Sequence, residues 1–131
     1  MIDHVSIRVY DLKKSVAFYE KALSAIGYKR LKGDFDGAAG FAIHNVKDNS
    51  GSVWLIQADQ DERLTKNVHL AFAVPDKEAV KRFYDAAISA GGSDNGKPDF
   101  CPEYGEDYYG GFVFDPDGNN IEATTYVKSV G

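Results

Sequence analysis

HVSIRVYDLKKSVAFYEKALSAIG, residues 4–27, and HLAFAVPDKEAVKRFYDAAISAGG, residues 69–92, begin alike and continue alike. At a constant offset of 65 (69 − 4), and without a gap, nine of the 24 pairs are identical: His4/His69, Val9/Val74, Asp11/Asp76, Phe18/Phe83, Tyr19/Tyr84, Ala22/Ala87, Ser24/Ser89, Ala25/Ala90 and Gly27/Gly92. Such self-similarity marks a duplicated supersecondary unit. Asp11 and Asp76 stand where a helix N-cap accepts from exposed backbone N–H groups, and Gly27 and Gly92 stand where a helix ends in a left-handed residue. Between them Val16, Tyr19, Leu23 and Ile26, like Val80, Phe83, Ala87 and Ile88, recur at helical spacing and form one apolar face. Each unit therefore opens strand, then helix.

Beyond each helix the pattern changes to short strands broken by turns: Asp36-Gly37 and Asn49-Ser50-Gly51 in the first unit, Asp115-Pro116-Asp117-Gly118 in the second. The last has Pro at its second position and Gly where positive φ is wanted, which predicts a hairpin of 108–115 with 119–126. The expected strands are 2–10, 28–34, 38–46 and 51–58, then 67–74, 93–98, 108–115 and 119–126. The fold class is α+β, two tandem βαβββ modules forming a curved, open, eight-stranded mixed sheet. Module one covers about 1–58, a polar linker 59–66, and module two about 67–127, within one domain of 1–131. The loop 98–107 receives no assignment.

Bulk properties narrow the partners. The 131 residues are 44% hydrophobic and 27% charged, with a formal net charge of -5. An acidic chain argues against nucleic acid and anionic membrane, because binding phosphates needs clustered Lys and Arg. A small molecule is the expected partner. The lone Cys101 excludes an internal disulfide and a cysteine-rich zinc site. The N-terminus shows no secretory pattern and no run long enough to span a membrane, so a cytoplasmic protein is expected.

Alternation then separates two sheet faces. Val5, Ile7 and Val9 oppose His4, Ser6 and Arg8; Leu70, Phe72 and Val74 oppose His69, Ala71 and Ala73; Ile121 and Ala123 oppose Asn120, Glu122 and Thr124. The apolar side covers the helix. If the second faces of both modules curl together, His4, His69 and Glu122 meet in a cup. Two imidazoles and a carboxylate match a facial triad suited to Fe(II), Mn, Ni, Co or Zn. The plainer readings are hydrogen-bonded structural histidines and a solvated outer face. Gln57 lies 53 residues after His4, as Glu122 does after His69. It is thus a candidate fourth ligand, or simply a surface amide. Trp54 on the same strand faces the other way and reads as core. Arg8 is a candidate for holding an anionic group, and Tyr104 and Tyr109 for lining the cup mouth, with exposed roles as the alternative for all three.

The paired modules, with His opening strands one and five and YYGGFVFDPDGNNIEA at the end, resemble the vicinal oxygen chelate superfamily of glyoxalases, bleomycin resistance proteins and extradiol dioxygenases. The resemblance covers residues 2–126. AGGSDNGKP and the terminal motif resemble a bacterial subgroup described only as glyoxalase-like. What the resemblance implies is a divalent metal held by His4, His69 and Glu122, with Glu122 also catalytic. The activity would be a lyase, isomerase or epimerase, or extradiol-type dioxygenase acting through two oxygens of a small molecule. Glyoxalase I uses a second Glu that this chain lacks, and an amide is no general base near pH 7, so lactoylglutathione lyase activity is not expected. The alternative is a metal-free sequestering protein of the bleomycin-resistance type. Superfamily relatives complete their cups within one chain or between two, and a symmetric homodimer meeting through the first and fifth strands is expected here.

Overall fold

The computed structural model describes residues 1–43, 48–59 and 64–128; positions 44–46 of the expected third strand and 60–63 of the linker lie outside them. The order is β1 (His4–Val9), α1 (Leu12–Ser24), β2 (Tyr28–Arg30), β3 (Ala38–Ile43), β4 (Ser52–Gln57), β5 (His69–Ala73), α2 (Lys77–Ser89), β6 (Ser93–Phe100), β7 (Tyr108–Phe114) and β8 (Asn120–Tyr126). Two βαβββ modules are therefore present. The unassigned loop shortens, since β6 runs through Phe100 before turns at 102–107.

Local chemistry sets the element ends. Asp11 Oδ1 accepts from Lys14 N at 3.2 Å and Asp76 Oδ1 from Ala79 N at 2.8 Å, so both N-caps form as the repeat predicts. Gly27 is left-handed with φ 91°. In the second module that conformation belongs to Gly91 (φ 101°), not Gly92. Gly92 is required for space: a Cβ there would stand 2.7 Å from the Phe18 ring and 2.9 Å from the Ala87 carbonyl. Ile88, counted on the apolar face, is 36% exposed, while Ala79 takes the buried place beside Val80, Phe83 and Ala87.

The strands form two four-stranded sheets, ordered β1-β4-β3-β2 and β5-β8-β7-β6. Among the described residues the expected eight strands are divided between two sheets, because β1 and β5 are each an edge strand paired, in parallel, with the last strand of its own module. The modules join instead through their helices and the β7–β8 turn. Phe18 packs at Gly92, Lys21 Nζ donates to Ser89 Oγ at 2.7 Å, and Tyr28 meets Phe72 edge-on with 5.4 Å between ring centroids. At the turn, Gly118 takes φ 85° and Asp115 becomes a buried acceptor. Its Oδ1 accepts from Asp117 N and Asn119 N, both at 2.9 Å, and its Oδ2 accepts from the Tyr19 hydroxyl of α1 at 2.5 Å. One core results, with Ile7, Phe18, Tyr19, Leu55, Phe83, Val113 and Ile121 all at most 1% exposed.

Burial, with the Asp115 charge beside it, raises the Tyr19 phenol well above its usual range. A raised folded value means that this stability is complete below the unfolded pKa of about 10 and is lost as pH rises through the folded one. Tyr19→Phe should lower unfolding free energy by about 1.5–3 kcal/mol, the range for a hydrogen bond to a charged group. In urea titrations the deficit at pH 7 should shrink above pH 10, and a variant as stable as the parent at pH 7 would remove this contact as a clamp between modules.

Candidate functional site

Alternation along β5 and β8 builds an open face on the second sheet. The parallel register sets His69 beside Asn120 and Ala71 beside Glu122, so His69 and Glu122 share that face one step apart. His69 Nε2 lies 2.9 Å from Glu122 Oε1. A carboxylate only accepts, so the nitrogen facing it carries the proton. Glu122 Oε2 accepts from the Tyr108 hydroxyl, donated from β7. Burial, followed by this bond to Glu122, pushes the Tyr108 phenol up to about 12 and keeps it a donor at neutral pH. Glu122 is 1% exposed, whereas the His69 side chain is 50% exposed. The charge is buried yet satisfied on both oxygens, which is the condition for holding a carboxylate inside a fold.

The space for this carboxylate is made by a missing side chain. A Cβ on Gly110 would stand 2.7 Å from Glu122 Oε2. Phe112, the register partner of Glu122 on β7, flanks His69 with ring centroids 6.3 Å apart. Tyr104, Tyr108 and Tyr126 form a run of edge-on rings at 5.5 and 5.4 Å alongside. On the far side of the imidazole from the buried Glu122, His69 lines a pocket of about 450 Å³, walled by β6 at Asn95–Lys97 and by the turn at Cys101–Tyr104. Burial, with Glu103 and Glu122 nearby, raises the Cys101 thiol, so it stays protonated.

Of the residues singled out in the sequence, the structure brings together His69 and Glu122, with Tyr104 in the lining of the pocket that His69 borders. His4 is on the corresponding face of β1, but its Nδ1 is 2.8 Å from Asp3 Oδ1 and it lines a different, apolar cleft with Val5, Leu70 and Phe72. Arg8 lies further along β1, where its backbone N–H donates to Thr65 Oγ1. Tyr109 is turned to the helix side, 5% exposed, against Phe100 and Lys77. Its neighbour Tyr108 is the tyrosine that meets Glu122, as the alternation of YYGGFVF against β8 would have indicated.

Gln57 is also directed elsewhere. Its Oε1 accepts from Leu12 N at 2.8 Å and its Nε2 donates to Tyr10 O at 2.8 Å, so the amide closes the N-terminus of α1. Register explains the difference. Glu122 pairs with Ala71, two residues after His69; the residue pairing with Ser6, two after His4, is Trp54. The modules are thus offset by three more residues at this strand than in the first helix. Trp54 occupies the cup face, half-buried, edge-on to Phe35 at 5.0 Å and seated over Gly40. No group of three His, Cys, Asp or Glu among the described residues converges as a metal cage. Among the described residues of one chain, His69 and Glu122 are two donors placed to share an ion.

The family model described as Glyoxalase/Bleomycin resistance protein/Dioxygenase superfamily matches residues 1–123. A glyoxalase/bleomycin resistance protein from Albidiferax ferrireducens T118 is similar in structure, with a TM-score of 0.78 and 25% identity over 97% of this chain and 99% of that one. A glyoxalase/bleomycin resistance protein/dioxygenase family enzyme from Burkholderia phytofirmans PsJN gives 0.72 and 19%, over 95% and 98%. A glyoxalase-related enzyme from Fulvimarina pelagi gives 0.71 and 19%, over 95% and 87%. The latter two likenesses concern fold. No functionally curated protein matches the chain.

Gly110→Ala tests the built space. The atom in the way is the end of a side chain, but moving it breaks the Tyr108 bond. The variant should lose about 1–3 kcal/mol of stability, the usual cost of overpacking. Its His69 ring should also lose its carboxylate partner, giving altered imidazole chemical shifts across a pH titration. A fully stable variant with unchanged His69 resonances would show that Glu122 is not confined by Gly110.

Proposed function

This chain belongs to the Glyoxalase/Bleomycin resistance protein/Dioxygenase superfamily, and from that premise we propose that it is a metal-dependent enzyme acting on a cytoplasmic small molecule through two of its oxygens. The observation that carries the reading is the His69–Glu122 pair: a nearly fully buried carboxylate, 2.9 Å from a half-exposed imidazole, beside an open pocket. Both groups are of the kind that bind Fe, Mn, Ni, Co or Zn, and a cation would take the place of the proton between them. When bound, the ion supplies Lewis acidity toward substrate oxygens.

The chain's own groups divide the remaining work. Glu122 holds its charge in place through the Tyr108 hydroxyl and is the residue able to take or return a proton at Oε1 once His69 no longer donates to it. Trp54 occupies the place where a second carboxylate would stand in the first module. That substitution argues against two-carboxylate proton transfer of the glyoxalase I kind. Lyase, isomerase and extradiol-type dioxygenase chemistry requiring a single carboxylate remain within this reading.

The third donor is His4 from a second copy. β1 and β5 are both edge strands, Met1, Ile2 and Tyr10 are exposed beside β1, and His4 and His69 of one chain line different cavities. A symmetric homodimer joined through β1 and β5 covers these edges and brings His4 of each copy to the other's pair.

Protein purified without chelator should carry one divalent ion per chain by elemental analysis. His4→Ala, His69→Ala and Glu122→Ala should each remove it and lower the melting temperature together, because the ion binds only the folded form. Mixing His4→Ala with Glu122→Ala chains should restore one ion per heterodimer. Absence of stoichiometric metal from a protein that still binds small molecules would instead establish the sequestering type, and a monomer by sedimentation would refute the shared site.

A further inference from the structure

The two oxygens of Glu122 stand in different surroundings. Along the open face of β7 the residues run Tyr108, Gly110, Phe112, and Phe112 is the register partner of Glu122. The carboxylate therefore reaches Tyr108 diagonally, over the place where Gly110 has no side chain. A Cβ on Gly110 would stand 2.7 Å from Glu122 Oε2, 3.3 Å from the Tyr108 ring and 3.4 Å from the Phe112 ring. Oε2 thus lies in a slot floored by glycine backbone and walled by two rings, and the donor it meets there is the Tyr108 hydroxyl. Oε1 meets His69 Nε2 at 2.9 Å.

Tyr108 is held in its turn. Tyr104 and Tyr126 stand edge-on to it, at 5.5 and 5.4 Å between ring centroids. For Glu122 to turn both oxygens toward an ion beside His69, Oε2 would have to leave the slot, and the phenol would lose a charge-assisted bond, the stronger class of hydrogen bond. Glu122 is too deeply buried for water to replace that bond.

We propose that Tyr108 is a positioning residue for Glu122: it commits Oε2, so that Oε1 alone faces His69 and any divalent ion bound there. A carboxylate that gives one oxygen fills one coordination position instead of two. The position left over is the one that a second substrate oxygen requires, so Tyr108 keeps the ion open to two-oxygen ligands. The inference rests on the functional reading for the ion. The placement of Oε1 by Tyr108 holds in the metal-free protein as well, and the two are measured separately.

Tyr108→Phe removes the hydroxyl and keeps the ring. The control is Tyr126→Phe, which removes an exposed hydroxyl that makes no hydrogen bond among the described residues. In full-length protein treated with EDTA, Tyr108→Phe should move the ring 15N shifts of His69, read through its carbon-bound protons, because the carboxylate is no longer held from its far oxygen. Tyr126→Phe should leave them as in the parent. On titration with Co(II), Tyr108→Phe should weaken binding about 10–100-fold, the range for losing the outer hydrogen-bond partner of a ligand. It should also change the visible d–d bands as Oε2 joins the ion, and Tyr126→Phe should change neither. A merely structural tyrosine would lower the melting temperature and leave cobalt affinity and bands as they are. Unchanged bands and affinity in Tyr108→Phe, with cobalt bound by the parent, would overturn the positioning role while the metal reading stands. Unchanged His69 shifts in the metal-free variant would overturn it too. A parent that takes up no cobalt removes the metal reading, and altered His69 shifts then still sustain Tyr108 as the residue that places Oε1.

Discussion

The buried Asp115 carboxylate is the constraint on which the second module's open face, with His69 and Glu122, depends. Four groups converge on it: the backbone N–H groups of Asp117 and Asn119, the Asn119 amide, and the Tyr19 hydroxyl from the other module. Three of these come from its own turn and fix the geometry that joins β7 to β8. The fourth reaches across from α1 and fixes where that hairpin lies. Asn119 extends the same network by accepting from Val68 N just before β5. A single charge, fully paired and therefore tolerable in the core, thereby sets the relative positions of α1, β5, β7 and β8. Glu122, Tyr108 and Asn120 are carried on the hairpin, and His69 on the strand it pairs with.

That frame turns small sequence choices into chemistry. Gly110 omits a side chain, Glu122 fills the space, and Tyr108 donates into it from the same strand as the glycine. The first module has the same strand order and none of this. Gly40 again omits a side chain, but an indole lies over it, and Phe35 packs against the indole. One copy of the duplicated unit thus presents a buried charge and the other an aromatic surface.

How much of this is legible in the sequence depends on the range of the signal. The ungapped repeat, the two N-cap aspartates and the period-two alternation are local, and they predict the strands, the helices and the shared face of His69 and Glu122. Pairing is not local. The Gln57 candidate rests on carrying the helical offset through loops whose lengths differ, and only the parallel register of β1 with β4 shows that Trp54 is the counterpart of Glu122. Gly92 is matched by identity to Gly27, yet its cause is the approach of Phe18 from the other module, which no local pattern carries. Tyr109 differs from Tyr108 by a single step of alternation, enough to exchange pocket for core.

The parallel pairing of each module's first strand with its last also has a kinetic side. His69 and Glu122 are 53 residues apart, and among the described residues β5 has no ladder partner except β8. α2 and the β6–β7–β8 meander depend on contacts closer in sequence, and contacts that close short loops form earlier than those that close long ones. β5 must therefore wait, carrying Leu70 and Phe72, until a finished meander arrives to receive it. The imidazole and the carboxylate meet in the last event of the module's assembly. The pair is thereby absent from incomplete chains, and the interval before β5 docks is when the nascent module is most exposed to association with the wrong strand.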